Sequence, residues 1–173
     1  MADAPVGDRL QPALLDRLTD REPDKKEESR ARSVVSLRRL RESVIRDLGW
    51  LFNTTRYSVT DDLSAYPRVA KSVINYGITD LSGKVTSSLD PRELERSIRQ
   101  AVIDFEPRVL PNGIPPDGIR VRVNVSDDDS RHAAVTFEIE AALWAQPTPT
   151  RLFLKTRVDL ESGDVRVDEQ AGS

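Results

Sequence analysis

From residue 119 to residue 168 the chain alternates apolar and polar side chains almost one for one. Ile119, Val121, Val123 and Val125 face one way, Arg120, Arg122 and Asn124 the other. Val135, Phe137, Ile139, Ala141 and Leu143 alternate with Thr136, Glu138 and Glu140. Leu152, Leu154 and Val158 then alternate with Lys155, Arg157 and Asp159, and Val165 and Val167 with Arg166 and Asp168. A period of two sends successive side chains to opposite faces of a strand, so each run has one face for a core and one for water. Turn signals separate the runs: the acidic cluster at 127–129, Gln146-Pro147-Thr148-Pro149, and Ser162-Gly163. Four such strands need a second layer to cover their apolar face.

Turn lengths predict a register. A four-residue loop at 146–149 pairs Ala145 with Thr150, hence Glu140 with Lys155 and Glu138 with Arg157. A two-residue turn at Ser162-Gly163 pairs Val158 with Val167 and Asp159 with Arg166. Both keep the apolar residues on one face and set opposite charges across from each other. The expectation is a four-stranded antiparallel meander.

The covering layer is helical and lies upstream. At 100° per residue, Val34, Leu37, Leu40, Val44, Ile45, Leu48, Leu51 and Phe52 fall in an arc roughly 140° wide, with Ser33 to cap the start and Asn53 suited to a left-handed end. Arg41 lies inside this arc and Trp50 almost opposite it. A buried arginine needs a carboxylate, and an exposed tryptophan marks an interface. A second helix is predicted from Pro67 to Gly77 with Val69, Val73 and Ile74 inward. A third has Asp90 as cap, Pro91 first, Glu93 completing a capping-box pattern and a stripe of Leu94, Ile98, Ala101, Val102 and Phe105. Pro107 should end it at Glu106. The fold class predicted is α+β, with helices packed on one face of the sheet. Residues 1–32 read as a flexible tail, 33–168 as one domain, and 169–173 as a disordered end.

Composition removes most chemistries. The chain has no cysteine and one histidine, so thiol nucleophiles, disulfides and multi-histidine metal sites are excluded. A net charge of −3 argues against nucleic-acid binding, and the arginines Arg38, Arg39 and Arg46 lie on the polar side of a helix, where charge is solvated, with no stacking aromatics interleaved. The longest apolar run, Ala141 to Ala145, is too short for direct membrane insertion, so the chain reads as soluble and cytoplasmic. Gly77 to Lys84 has five residues between its glycines where a phosphate loop has four, and Val85 replaces the magnesium hydroxyl. An EF-hand reading from Asp127 to Glu138 fails at Arg131 and His132. No elbow motif accompanies His132. No metal and no cofactor is expected.

Two features are left. Within the tail, Leu14, Leu15 and Leu18 cluster at helical spacing, as incidental helix or as a docking motif that folds on a partner. Past the third helix comes Glu106-Pro107-Arg108, where proline stiffens the chain between an acid and a base on the same side of an extended backbone. This is a structural corner, or a clamp for an acid–base pair on a partner, or the source of a carboxylate for Arg41. A peptidoglycan hydrolase could use Glu106 as general acid, but no spacing supplies the second carboxylate.

Leu14-Leu15-Asp16-Arg17-Leu18-Thr19-Asp20, the run Arg41-Glu42-Ser43-Val44-Ile45-Arg46-Asp47-Leu48-Gly49-Trp50-Leu51-Phe52-Asn53-Thr54, Ser72-Val73-Ile74-Asn75-Tyr76-Gly77 and Phe105-Glu106-Pro107-Arg108 occur in this order. The set resembles the TssE family of type VI secretion baseplate proteins, kin to the lysozyme-like baseplate-wedge protein of contractile-tailed phages. It departs at Phe52, where leucine is expected. The resemblance implies a non-enzymatic structural subunit that binds other wedge proteins (TssF, TssG and TssK type) and starts the sheath (TssB and TssC type). It assigns Glu106, Pro107 and Arg108 to holding baseplate and sheath together. An open edge of the meander would suit strand addition by such a partner.

Overall fold

The computed structural model describes residues 13–19, 24, 36–112, 118–126, 134–145 and 148–170. Helix α1 (Leu14–Leu18) is a single turn and change. Helix α2 (Leu37–Phe52) starts at Ser36, whose extended backbone lets its hydroxyl accept from the Arg39 N–H. The cap is therefore three residues later than expected; Ser33 and Val34 lie outside the described residues. Leu40, Val44, Leu48, Leu51 and Phe52 are buried, as the spacing predicts. Asn53 does not turn left-handed: its φ is −90° and ψ 8°. Its amide instead donates to the carbonyls of Gly49 and Val165 and accepts from the Val165 N–H.

The second predicted helix is broken in two. Helix α3 covers only Pro67–Ala70, and a 3-10 turn follows at Val73–Asn75. Ser72 and Asn75 carry side chains that compete with helical backbone bonding. Ser72 caps the 3-10 turn, while buried Asn75 accepts from Ser58 N–H and donates to the Ala70 carbonyl. Val73 and Ile74, expected inward, are 83% and 63% exposed. Gly77, at φ 126°, ends this segment where Ile78 bridges Thr55 and donates to the Thr54 carbonyl; a Cβ there would stand 2.2 Å from the Thr54 oxygen. Helix α4 (Pro91–Phe105) follows the prediction, with Asp90 accepting from the N–H groups of Arg92 and Glu93, Leu94, Ile98, Ala101 and Val102 buried and Phe105 partly so.

Strands β2 (Arg120–Ser126), β3 (Ala134–Leu143), β4 (Thr150–Asp159) and β5 (Val165–Glu169) form the meander. A fifth strand, β1 (Val109–Leu110), follows the Glu-Pro-Arg corner and extends the row of β2 along the far end of β3. Both registers differ from the expected ones by two residues. Leu143 pairs with Thr150, setting Glu138 opposite Lys155 and Glu140 opposite Phe153. Trp144 lies past the last pair of that ladder, and its N–H donates to the Arg108 carbonyl beside β1. Val158 pairs with Val165 and Arg157 with Arg166, since Asp159 turns its carboxylate onto the N–H groups of Glu161 and Ser162 and so widens the turn. A slip of two keeps every side chain on its face, so the burial pattern survives both errors. The last strand also runs past the expected end at 168: Glu169 pairs with Leu154, and Gln170 donates to Phe153.

Helices α2 and α4 cover one face of the sheet around Phe137, Ile139, Leu152 and Leu154, with Phe52 edge-on to Phe137 at 5.4 Å. They also reach its edges. On β2, Glu95 of α4 accepts from the Val123 N–H and Arg99 donates to the Ile119 carbonyl. On the other side, the bonds Asp159 N–H to Asp164 and Gln170 N–H to Phe153 turn the even-numbered residues of β5 toward β4. Val165, Val167 and Glu169 therefore point their backbone groups outward. Asn53 occupies both groups of Val165, and Arg41 donates to the Arg151 carbonyl on the same side of β4. Among the described residues, Val167 and Glu169 keep outward backbone groups without a partner.

Candidate functional site

The end of α4 brings Glu106 to the base of the fold, where it is 3% exposed. Pro107 stays exposed and turns the chain, so that Arg108 folds back on the acid it follows. Its Nε donates to Glu106 Oε1 at 2.7 Å and one terminal nitrogen to Oε2, a bidentate pair, while its backbone N–H also reaches Oε1 at 3.1 Å. The acid and base thus clamp each other. Neither is left extended toward a partner, and no side chain of Arg41 is needed to neutralise Glu106.

Arg108 reaches further, onto α2. It donates to Asp47 Oδ2 at 2.6 Å and to the Ser43 hydroxyl at 3.2 Å. Asp47 accepts on its other oxygen from Arg46 Nε at 2.9 Å, and Arg46 donates to Asp16 of α1 at 2.6 Å. The Arg46 guanidinium lies 5.1 Å from the centre of the Trp50 ring. Glu106, Arg108, Asp47, Arg46 and Asp16 form one chain of alternating charge that joins the corner, α2 and the short helix α1. Tyr76 closes its flank, packing edge-on to Phe105 at 5.3 Å and donating to the Asp47 carbonyl at 3.3 Å.

The electrostatics follow from this sequence of charges. Burial opposes the charge of Arg108, but its bonds to Glu106 and Asp47 outweigh that and raise its pKa. The bonds of Arg46 to Asp16 and then Asp47 raise its pKa too. Burial raises the Tyr76 hydroxyl, helped by the negative charges of Asp47 and Glu106.

Arg41 goes elsewhere. It stands six residues before Asp47, roughly 9 Å along the helix axis, and donates to Glu169 at 2.8 Å as well as to Arg151. The expected pair with Glu106 does not form, because Arg108 already fills that carboxylate from two residues away. Leu14, Leu15 and Leu18 are exposed on α1, and Trp50 is half exposed beside them on the shared Arg46. Sequence reasoning missed Asp47, Arg46 and Asp16, and counted Arg46 as merely solvated. One signal was available: Ser43 and Asp47 are four apart and so share a helix face at the margin of the apolar arc. Chemically the arrangement is poor for acid catalysis, since both Glu106 oxygens are taken by Arg108 and the side chain is shut from solvent. His132 and the acidic turn 127–129 lie outside the described residues. Among the described residues no group of acids and histidines could hold a metal ion, and no helix is long and apolar enough to cross a membrane.

Residues 38–148 match the family model of the baseplate wedge protein gp25. The chain belongs to this family. The matched segment holds α2, the corner at 106–108, β1, β2 and β3, and with them four of the five charges in the chain of ion pairs. This wedge-family chain therefore has a structural baseplate part at its centre, while α1, β4 and β5 lie outside the match. No curated protein and no solved structure matches it.

Proposed function

We propose that the chain is a structural, non-enzymatic subunit of the baseplate of a type VI secretion apparatus, working in the cytoplasm at the membrane-docked baseplate. It binds other wedge subunits of the TssF, TssG and TssK type and starts polymerisation of a sheath of the TssB and TssC type. The family match supports the baseplate role, and the ordered motifs from Leu14 to Arg108 support the secretion context.

The observation that carries the partner-binding reading is the charge chain from Glu106 to Asp16. It stiffens one corner of the molecule and sets Pro107, Trp50 and the leucines of α1 on that corner, exposed and adjoining paired charges. Such apolar anchors among neutralised charges suit a protein partner. Glu106 and Arg108 act here by holding the corner, with Pro107 and Trp50 as its contact surface. For the sheath, the outward backbone of Val167 and Glu169 is the stretch suited to strand addition.

The test replaces exposed residues only. Trp50→Ser combined with Leu14→Ser and Leu18→Ser should leave the circular dichroism and melting curve of the chain unchanged. The variant should no longer co-purify with the other wedge subunits or support sheath assembly. Normal sheaths from this variant would show that the surface is misassigned. Clearing of a cell-wall suspension by the purified chain, lost in Glu106→Gln, would overturn the non-enzymatic part.

A further inference from the structure

Helix α1 is held on the domain by very little. Its five residues are too few to keep a helix in water unaided, since isolated helices shorter than about 12 residues are marginal. No side chain caps its start, and none of its residues is buried. Among the described residues, its hydrogen bonds and ion pairs to other elements are the two from Arg46 to Asp16, one at 2.6 Å and one at a long 3.5 Å.

That contact fixes which way α1 faces. At roughly 100° per residue, Leu14 and Leu18 each lie about 160° round the helix from Asp16, and Leu15 about 100°. The acid is turned to α2 and the leucines are turned outward. Their exposure follows: Leu14 and Leu18 are largely exposed, Leu15 less so. A helix docked for its own stability buries its apolar side. Here the polar side is docked and the apolar side is shown.

The receiving end does not depend on α1. Arg46 also donates to Asp47 at 2.9 Å, and its guanidinium lies over the ring of Trp50, four residues further along α2. Both contacts persist when α1 leaves, so Arg46 stays in place to take it back. The link itself is weak enough to open. The side chains of Arg46 and Asp16 are 30% and 18% exposed, and such a pair shifts a two-state balance by no more than about fivefold.

We propose that the Asp16–Arg46 pair is a latch that assembles the docking surface from two parts. Closed, it holds Leu14 and Leu18 alongside Trp50 as one preorganised apolar patch. Open, α1 loses its helix and Trp50 stands alone on α2. A partner that meets the closed state binds without first ordering α1. Asp16 and Arg46 are thus positioning residues, and Leu14, Leu18 and Trp50 make the contact. The latch rests on the partner-binding reading of that surface and adds what controls it.

The experiment combines NMR of the full chain with a binding titration. In the natural chain the amides of residues 14–18 should carry helical shifts. They should lose them as NaCl rises from about 0.1 M to about 1 M, which cuts the screening length from about 10 Å to about 3 Å. Asp16→Asn should move them toward random-coil values at low salt and leave the amides of α4 unchanged. Asp16→Glu, which still reaches a guanidinium, should restore them. Leu14→Ala with Leu18→Ala keeps helix propensity and should leave α1 latched, because the leucines do not hold it. Release of α1 in that double variant, or an α1 that stays helical in Asp16→Asn, would overturn the latch. Against a purified complex of TssF- and TssG-type wedge subunits, Asp16→Asn should bind about two- to fivefold more weakly, the range a partly exposed pair supplies. Unchanged binding with α1 released would sink the latch and leave the surface standing. Unchanged binding of the double leucine variant would instead remove the leucines from the surface.

Discussion

Replacing Arg108 by methionine keeps most of the side-chain volume and removes the guanidinium, which isolates one question: how much does Glu106 depend on it? Four hydrogen bonds to three residues are lost: to both oxygens of Glu106, to Asp47 and to the Ser43 hydroxyl. They are not equal. The side chains of Arg108 and Asp47 are 22% and 23% exposed, so water replaces part of that pair, which is worth at most about 1 kcal/mol. The Glu106 side chain is 4% exposed. After the change Oε1 keeps only the backbone N–H of residue 108, and Oε2 keeps nothing. Leaving a buried charge without its partner costs about 3–5 kcal/mol, and the lower end applies because one N–H remains. The expectation is a loss of about 3–4 kcal/mol in urea unfolding, followed by the fluorescence of Trp50 and Trp144, with an unchanged m-value. At roughly 2–4 °C per kcal/mol for a chain of this size, the melting temperature falls by about 10 °C. Adding Glu106→Gln should recover more than half of the loss, because the stranded charge is removed with its partner. A loss below about 1 kcal/mol in the single variant, or no recovery in the double one, would refute the reasoning: Glu106 would then be hydrated and the corner held by packing alone.

Three other outcomes follow from the same contacts. Gly77→Ala should destabilise by more than about 2 kcal/mol in the same urea assay, through a positive φ and a Cβ driven against the Thr54 carbonyl; an alanine variant of normal stability would contradict that geometry. Asn53→Ala removes two bonds between the end of α2 and Val165 at the edge of β5 and one to Gly49 within α2, so about 2–3 kcal/mol should be lost and the amide of Val165 should exchange faster with solvent. Asp80 accepts from the N–H and hydroxyl of Ser82, which holds its carboxyl below the usual value of about 3.9. Its stabilising effect is therefore present above that value and fades as pH falls through the lowered one. Ser82→Ala should move the Asp80 titration, read by carbon-13 NMR, upward; an unmoved titration would remove the hydroxyl as a cause.

What could be read from the residues alone was whatever repeats along the chain. The period of two in β3 and β4 and most of the stripe of α4 appear in the structure with the same residues inward, because burial of a face depends only on spacing. The α3 segment escaped this logic, since Ser72 and Asn75 made local bonds that a count of valines and isoleucines does not see. Both sheet registers differ by two residues, a shift that leaves no trace in the burial pattern; at the second turn, Asp159 bonds the N–H groups of Glu161 and Ser162 and widens it.

The Glu-Pro-Arg corner divides in the same way. Sequence by itself determined that an acid and a base flank a stiff proline at the end of a helix, and that Arg41, inside the apolar arc, needed a carboxylate. Only the tertiary structure decided which one. Glu106 was a candidate, but Arg41, two residues before Ser43 and six before Asp47, faces the edge of β4 and β5 and donates there to Glu169 and Arg151. The packing of α2 on the sheet then placed Asp47, Arg46 and Asp16 in line with Arg108. Charges distant in the chain become neighbours only through that packing, and a buried carboxylate takes the cation that reaches it without unburying anything else.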